Sequence, residues 1–279
     1  MNSQELMSPE AYEALCRILS REYGVDLRRT NPAVAQRKIH KFLGLHGLSS
    51  MAECLEFLRA DSRRLQGLAD IVYSQSTHFN RESEHFQFLV DTVLRQKRQH
   101  PESHSDQLEV WCPGCSTGQE AYTVAIYLME SVFPASPPSS SFHVLGSDCS
   151  ESSLLIAQEG RYRVDDVQKL APIPYRKYFV DAGDGHMSVR PEVRRQVSFS
   201  QFNLITSEYE FEGDIDYVFL RNALDFHTQE SRKAILTQIR RTLKDGGYLV
   251  LGAFPTVTSD SPGRGFELAA PGCYRAISK

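Results

Sequence analysis

The chain has 279 residues, 41% hydrophobic and 24% charged, and this composition excludes a disordered chain, a collagen and a coiled coil. The length accommodates an α/β domain together with a small helical domain. A net charge of −4 argues against general electrostatic attraction to nucleic acid, so no nucleic-acid partner is expected.

The first eighty residues are predicted to form short helices, because their apolar residues recur at helical spacing. Start signals, a Ser–Glu capping box and glycine stops separate three of these helices. The signals are Pro9 and Gly24, Asn31 with Pro32 and Gly44, and Ser50 with Glu53. A fourth helix carries Leu65, Leu68 and Val72.

Strands alternate with helices in the remainder of the chain. After a helix near Phe86–Leu94, the polar segment Arg95–Gln107 has the composition of a linker. Leu108–Cys112 and Phe142–Ser147 are then predicted as strands on either side of a buried helix at Gln119–Met129. This order predicts a doubly wound parallel sheet, whose ligand lies beyond the carboxyl ends of the strands.

Two further strands and one helix continue the pattern. Ile215–Leu220 and Tyr248–Gly252 are predicted strands, and the helix between them has Thr228 as its cap and Gly246 with Gly247 as its stop. The predicted fold class is therefore α/β, with an N-terminal all-α domain followed by a Rossmann-like domain.

The N-terminus and the cysteines bear on cellular location. No apolar stretch approaches the roughly 18 residues that cross a bilayer, and Met1–Glu10 lacks the basic-then-apolar order of a secretory signal. Six cysteines are too sparse for a small disulfide scaffold, so they are interpreted as thiols. We expect a cytoplasmic protein without membrane insertion.

The segment between the first predicted strand and the buried helix carries the strongest chemical signal. Gly114 and Gly118 allow a tight turn and a close approach of backbone to ligand. Asp148 ends the next strand, where a carboxylate can accept both hydroxyls of a ribose. The Gly-x-x-x-Gly spacing favours S-adenosylmethionine over NAD, and an ordinary tight turn is the alternative.

Two other chemistries fit part of this segment. Cys112-Pro-Gly-Cys115 at a strand-to-helix turn has the form of a dithiol redox site, since a helix N-terminus lowers thiol pKa. Glu120, Asp148 and the two glycines have no role in disulfide exchange, which disfavours this alternative. A second cysteine pair of suitable spacing for zinc is missing, so no metal is expected.

Six short motifs follow one another along the chain. They are Thr77 to Arg81 followed by Phe86, Gly114 to Tyr122, Asp148, Gly160 to Arg163, Asn203 with Leu204, and Leu220 to His227. In this order they resemble the CheR family of chemoreceptor glutamate O-methyltransferases over nearly the whole chain. The resemblance implies an enzyme that methylates glutamate carboxylates with S-adenosylmethionine and releases S-adenosylhomocysteine.

The resemblance also implies a domain plan with a small antiparallel β subdomain. The predicted N-terminal helical domain covers 1–80, and a connecting helix and linker cover 81–107. The predicted methyltransferase domain covers 108–279, with the β subdomain at about 164–195.

Nine positions correspond to the cofactor site that the resemblance implies, with Gln75 standing where the family often has Asn. They are Gln75, Thr77, Arg81, Glu120, Asp148, Asn203, Leu204, Arg221 and Asn222. Arg81 is the candidate catalytic residue, since a planar guanidinium can bind a carboxylate or order the cofactor. The alternatives are an ion-paired or solvated arginine, an Asp148 that only caps a helix, and an Asn203 that only forms a turn.

The acceptor side departs from the family pattern. Phe226 replaces a tyrosine whose hydroxyl is expected near the reacting methyl, Asn80 replaces a phenylalanine, and 253–255 lacks the expected Gly-His-Ser-Glu continuation. Losing one hydrogen bond to a charged group corresponds to roughly ten- to 150-fold in rate. The alternative function is therefore a regulatory protein of a chemosensory-type pathway that binds S-adenosylmethionine or S-adenosylhomocysteine with little turnover.

A basic segment indicates a partner surface. No acidic residue lies between Leu27 and Ala52, whereas Arg37, Lys38 and Lys41 lie on the second predicted helix. In the family a basic N-terminal helix meets the acidic methylation region of a receptor's helical bundle. The resemblance implies that partner here, and a solvated charged face is the alternative.

Overall fold

The computed structural model describes residues 9–73, 77–99, 107–133, 141–252 and 262–278. These residues form two compact units. The helical unit contains the described residues of 1–76, 203–207 and 224–235. The sheet unit contains the described residues of 77–202, 208–223 and 236–279.

Four helices confirm the all-α character predicted for the N-terminal region. They are α1 (Pro9–Tyr23), α2 (Pro32–Leu45), α3 (Met51–Arg59) and α4 (Ser62–Tyr73). Asn31 Oδ1 accepts a hydrogen bond from Ala33 N at 3.0 Å, and Ser50 Oγ accepts one from Glu53 N at 3.2 Å, so both predicted caps form. α2 passes through Gly44 and ends at Leu45, one residue beyond the predicted stop.

Apolar side chains of all four helices meet in one buried core. Its members include Leu15, Leu19, Ile39, Phe42, Leu58 and Leu68. Two backbone hydrogen bonds join the segment after α1 to a distant part of the chain, from Asp26 N to Phe226 O at 2.7 Å and from Thr228 N to Gly24 O at 3.0 Å. Gly24 has a φ of +65°, which explains why a glycine ends α1.

The sheet unit alternates helices and strands, as predicted. The helices are α5 (Ser83–Gln99), α6 (Gln119–Ser131), α7 (Glu151–Glu159), α8 (Val164–Val167) and α9 (Pro191–Arg194). A further helix, α10 (Gln229–Thr242), belongs to this unit only from residue 236 onward. The strands are β1 (Leu108–Pro113), β2 (Phe142–Asp148), β3 (Arg161–Arg163), β4 (Phe179–Asp181), β5 (His186–Val189), β6 (Val197–Gln201), β7 (Ile215–Phe219), β8 (Leu243–Val250), β9 (Phe266–Ala270) and β10 (Cys273–Ala276).

Seven strands form a mixed sheet in the order β6-β2-β1-β7-β8-β10-β9. The first five are parallel, which confirms the predicted parallel sheet for most of its width. β10 runs antiparallel to both β8 and β9. A tight turn at Gly272, with φ of +70°, joins β9 to β10, whereas a parallel pair would need a long crossover.

A second, antiparallel sheet has the order β3-β5-β4 and confirms the predicted small β subdomain. It begins at Arg161, slightly before the expected start near 164. The fully buried Phe79 packs edge-on against Tyr162 and Phe179, at ring-centroid distances of 4.9 and 5.5 Å.

Two local predictions are wrong. α10 ends at Thr242, and Gly246 and Gly247 lie inside β8. A Cβ at Gly247 would lie 2.9 Å from Asp216 O, so close approach of two backbones explains this glycine. The expected linker at 95–107 begins inside α5, whose basic last turn suits a helix C-terminus. The domain boundaries at 80 and 107 stay predictions.

Candidate active site

The loop between β1 and α6 makes the tight turn predicted from its glycines. Gly114 and Gly118 have φ of +75° and +90°. A Cβ at Gly118 would lie 2.8 Å from Ala157 Cβ, and one at Gly114 would lie 2.9 Å from Ala223 Cβ. Both positions therefore require glycine. Gly118 directly precedes α6, whose first amides lack partners within the helix and attract electron-rich ligand atoms.

Asp148, the last residue of β2, is tied to this loop through its carboxylate. Oδ2 accepts a hydrogen bond from Ser116 N, and Oδ1 accepts one from Ser150 N, each at 2.9 Å. Ser150 itself caps α7 by accepting from Ser153 N at 3.2 Å, so the cap does not depend on Asp148. A carboxylate has roughly four acceptor sites, so ribose hydroxyls can bind beside these two amides.

Four charged side chains form an ionic cluster at the start of α6. The Arg221 side chain is only 2% exposed, and its Nη1 lies 3.1 Å from Glu120 Oε2 while its Nη2 lies 3.4 Å from Glu82 Oε2. Glu82 Oε1 lies 3.8 Å from Arg81 Nε, and the Arg81 carbonyl accepts a hydrogen bond from Arg221 Nη2. The Arg221 guanidinium is thus paired on two sides and held in one place.

The Glu120 carboxyl titrates near neutral pH. Burial, the largest influence, raises the pKa of Glu120 to about 7, while Arg221 and Arg81 act against this shift and Glu82 adds to it. A cationic ligand beside Glu120 would favour its ionised form and so couple binding to proton release. Such a perturbed carboxyl at the start of the helix after β1 is typical of a functional site.

Glu82 of this cluster and the neighbouring His85 are candidate functional residues that no sequence motif indicates. His85 is 2% exposed, with Nδ1 3.3 Å from Glu82 Oε2. Burial, followed by the charge of Arg221, lowers the pKa of His85, so the ring is mainly neutral at pH 7. Their positions one and four residues after Arg81, at the start of a predicted helix, are the signal that would have found them.

The structure brings together some of the predicted site residues within the sheet unit. Arg81, Glu120 and Arg221 share the ionic cluster, and Asp148 contacts the glycine loop. Asn222 directly follows Arg221 with φ of +58°, and Thr77 is half-buried. Gln75 lies outside the described residues.

Asn203 and Leu204 belong to the helical unit. The Asn203 side chain donates to Glu22 O at 3.0 Å and accepts from Ile205 N at 2.9 Å. This geometry fits the alternative in which Asn203 forms a turn. Phe226 also lies in the helical unit, where it packs against the helical core.

The dithiol alternative does not fit the environment of its cysteines. Cys112 and Cys115 are both buried and neither forms a disulfide. Burial raises the pKa of both thiols well above its ordinary value, which opposes the thiolate that exchange chemistry needs. Within the described parts of the chain, no group of three His, Cys, Asp or Glu side chains is placed to hold a metal ion.

These features define a class of protein. A glycine turn, a strand-ending carboxylate and a buried acid at the start of the next helix are the features expected of a nucleoside-cofactor site on an α/β sheet. The acid and the paired guanidinium suit the charged amino-acid end of a cofactor such as S-adenosylmethionine. The arrangement is typical of an S-adenosylmethionine-dependent methyltransferase.

Family comparisons agree with this class. Residues 75–264 match the family described as CheR methyltransferase, SAM binding domain, and residues 10–72 match CheR methyltransferase, all-alpha domain. The chain belongs to the CheR methyltransferase family. Its cofactor is S-adenosylmethionine.

Curated relatives match over most of their length. A chemotaxis protein methyltransferase of Borreliella burgdorferi is 26% identical over 94% of this chain and 92% of its own. Chemotaxis protein methyltransferase 1 of Vibrio cholerae is 30% identical over 90% and 91%, and the Vibrio parahaemolyticus relative is 29% identical over 90% and 91%. The comparisons favour a methyltransferase over the regulatory alternative.

Within the part of the chain that the structure describes, no helix is both long and apolar enough to cross a membrane.

Proposed function

We propose that the sheet unit transfers a methyl group from S-adenosylmethionine to glutamate carboxylates of a chemoreceptor, with Arg81 as the residue that meets the acceptor. The observation that carries this proposal is the ionic cluster of Arg81, Glu82, Glu120 and Arg221 beside the glycine loop. The sulfonium of the cofactor supplies an activated methyl group. The acceptor is already ionised at pH 7, because the reference pKa of glutamate is about 4.3, so no general base is needed.

The residues of this chain have alignment as their main task. Arg81 binds the acceptor carboxylate and removes water from it, which holds an oxygen in line with the methyl carbon. The Glu82 carboxylate and the Arg221 hydrogen bond to the Arg81 carbonyl limit where that guanidinium can go. Asp148 accepts the ribose hydroxyls, and Glu120 meets the ammonium of the methionine end.

The other predicted site residues divide into two groups. Thr77 and Asn222 lie in the sheet unit, and Asn203, Leu204 and Gln75 are carried over from the family resemblance alone. Alanine substitutions test which of the proposed residues contribute to cofactor binding. We expect Asp148→Ala to weaken cofactor binding most, whereas an Asn203→Ala variant with unchanged affinity would restrict Asn203 to its turn.

One experiment separates this function from the regulatory alternative. Calorimetry is expected to show binding of S-adenosylmethionine and S-adenosylhomocysteine under both hypotheses. Transfer of labelled methyl groups to candidate receptors is expected only if the chain is an enzyme. We expect transfer by the wild type and a large but measurable fall in its rate in Arg81→Ala. Binding without any transfer by the wild type would support the regulatory protein.

We propose that α2 of the helical unit binds the acidic methylation region of the receptor's helical bundle. Arg37 and Lys41 are exposed, four residues apart on one helix face. Lys38 differs, because it is partly buried and its Nζ donates to Val72 O at 2.9 Å. We also propose a cytoplasmic location for the chain, where it would reach this region of the receptor.

Charge reversal tests this surface. Arg37→Glu with Lys41→Glu is expected to lower receptor methylation at least severalfold and to leave cofactor affinity unchanged. Arg17→Glu with Arg21→Glu on α1 is the matched control, since both arginines are exposed and the net charge changes equally. Equal methylation by both double variants would contradict a docking role for α2.

A further inference from the structure

Asn80 is the residue where the segment carrying Arg81 departs from the family pattern. Its backbone is left-handed, with φ of +59°, and Glu82 on the other side of Arg81 has φ of +54°. This conformation is unfavourable for residues other than glycine, although asparagine tolerates it better than most. Two such residues flanking one arginine persist only where the surroundings hold them.

The Asn80 contacts account for the first of these two conformations. Its backbone N–H donates to Thr123 Oγ1 at 3.3 Å, and its side-chain Nδ2 donates to Ala171 O at 3.1 Å. Its Oδ1 accepts from the Tyr127 hydroxyl at 2.8 Å. Thr123 donates its own proton to Gln119 O at 2.6 Å, which leaves its oxygen as the acceptor for Asn80.

Two of the three anchors of Asn80 belong to the same helix as Glu120. Thr123 is fully buried and Tyr127 is 7% exposed, and both lie on α6. Burial raises the pKa of Tyr127, so the hydroxyl stays protonated and donates to Asn80. A phenylalanine at position 80 has no atom for either side-chain bond and would leave the Tyr127 hydroxyl without this acceptor.

We propose that Asn80 is a positioning residue for Arg81. It fixes the backbone on one side of Arg81 to α6, while Glu82 and Arg221 hold the arginine from the other side. The guanidinium is then presented in one orientation relative to Glu120. This inference rests on the proposed role of Arg81, and it assigns to Asn80 a function in this chain that the family phenylalanine cannot perform.

Asn80→Gly is the sharpest variant, because glycine keeps the left-handed backbone at no steric cost and removes only the side-chain bonds. We expect kcat/KM for receptor methylation to fall roughly three- to tenfold, which is the loss expected from one or two neutral hydrogen bonds. In an Arg81→Ala background the same change is expected to have no further effect, since Asn80 acts through Arg81.

Tyr127→Phe is the second variant, in case Asn80→Gly folds poorly. It removes a single hydroxyl from the same bridge, and a smaller loss of about two- to fivefold is expected. Gln87→Ala is the matched control, because it removes an exposed side-chain hydrogen bond, to Asp91 at 2.9 Å, elsewhere in the sheet unit. The control is expected to keep wild-type kcat/KM.

A second readout does not depend on turnover. Phenylglyoxal labels arginine side chains, and mass spectrometry can follow Arg81, which is 30% exposed, against Arg63, which is 88% exposed. Asn80→Gly and Tyr127→Phe are expected to raise the labelling rate of Arg81 at least twofold without changing that of Arg63.

Two results would overturn the proposal. One is unchanged labelling of Arg81 in both variants, and the other is an equal loss of kcat/KM on Asn80→Gly with and without Arg81. If the wild type methylates no receptor, the function proposed for the chain fails instead. The labelling rates then still decide whether Asn80 positions Arg81.

Discussion

At the residue scale, the proposed place of Glu120 in the cofactor site predicts that cofactor binding depends on pH. Because burial raises the pKa of Glu120 to about 7, the carboxyl is largely protonated at pH 6 in the free protein. A cationic cofactor bound beside it prefers the carboxylate, so binding below pH 7 must first release a proton. Affinity is therefore expected to be highest above pH 7 and to weaken progressively as the pH falls.

The expected effect is large enough to measure. If binding returns the pKa of Glu120 to near its ordinary value, the Kd for S-adenosylmethionine should rise roughly eightfold between pH 7.5 and pH 6. Calorimetry in two buffers of different ionisation enthalpy would also record the proton uptake or release. Glu120→Gln should weaken binding and flatten this pH dependence, and an unchanged slope in that variant would assign the titration to another group.

The residues facing Glu120 permit a finer test of the same pH dependence. They are Arg221, Glu82 and Arg81, with the Cys112 and Cys115 thiols. Only Glu82 among the three charged neighbours raises the pKa of Glu120. Glu82→Gln should therefore move the midpoint of the affinity curve to lower pH.

Gly118 is the residue where the loop geometry is most sensitive to substitution. An added Cβ would meet Ala157 Cβ at 2.8 Å, in addition to the strain of a φ of +90°. Gly118→Ala is expected to lower the free energy of unfolding by about 2 to 4 kcal/mol, because overpacking and left-handed strain add together. Urea unfolding measures this change, and cofactor affinity should fall with it.

Gly183 provides the control for that substitution. Its φ of +75° is also left-handed, but no atom lies within 4 Å of an added Cβ. Gly183→Ala should therefore cost only the backbone strain, about 1 to 2 kcal/mol. A Gly118→Ala variant no less stable than Gly183→Ala would contradict the tight packing of the loop against α7.

At the element scale, local sequence signals predict the starts of elements better than their ends. Asn31 and Ser50 cap α2 and α3 as expected, because a cap needs only residues within one turn. Gly246 and Gly247 have the form of a helix stop, yet they lie in β8, where Gly247 passes close to the Asp216 backbone. That contact joins residues of two strands, and no local pattern contains it.

The same distinction applies to the candidate site. Asp148 and the two glycines follow from their places at a strand end and a turn, and the resemblance adds Arg81, Glu120 and Arg221. The sharing of Arg221 by Glu82 and Glu120 depends on three separate segments meeting in space. Asn80 appears in the sequence only as a departure, and its bonds to α6 give the reason for it.

The end of α4 gives a prediction at the element scale. Lys38 Nζ donates to Val72 O, one of the last carbonyls of α4, so a side chain of α2 caps α4. Burial, followed by the charge of Arg37, lowers the pKa of Lys38, as expected for an amine packed among apolar groups. Lys38→Met should lower the free energy of unfolding by about 1 kcal/mol and leave cofactor affinity unchanged.

Lys41→Met is the control for this capping role, because Lys41 is exposed on the same helix and the charge change is equal. It should alter stability by less than about 0.5 kcal/mol. Thermal unfolding followed by circular dichroism compares the two variants. Equal melting temperatures would mean that the hydrogen bond from Lys38 contributes nothing measurable to α4.

At the scale of the whole molecule, the helical unit is not continuous in sequence. Residues 203–207 and 224–235 join the N-terminal helices, so a unit predicted as 1–80 is completed by residues more than a hundred positions away. The hydrogen bonds of Asp26 with Phe226 and of Thr228 with Gly24 lie in this junction, and the Phe226 ring covers part of the helical core.

This arrangement predicts the behaviour of the isolated N-terminal fragment. A fragment of residues 1–80 keeps its four helices and their caps but exposes the apolar surface that Phe226 covers and leaves the Asp26 amide to water. We expect circular dichroism to show helix together with a broad melt at lower temperature than the full chain, and a fluorescent dye to bind the exposed core. A Phe226→Ala change in the full chain should destabilise the same unit by about 1 to 3 kcal/mol, less than a fully buried ring would cost. A fragment that melts sharply at the full-chain temperature would show that the later segments add nothing to the stability of the helices.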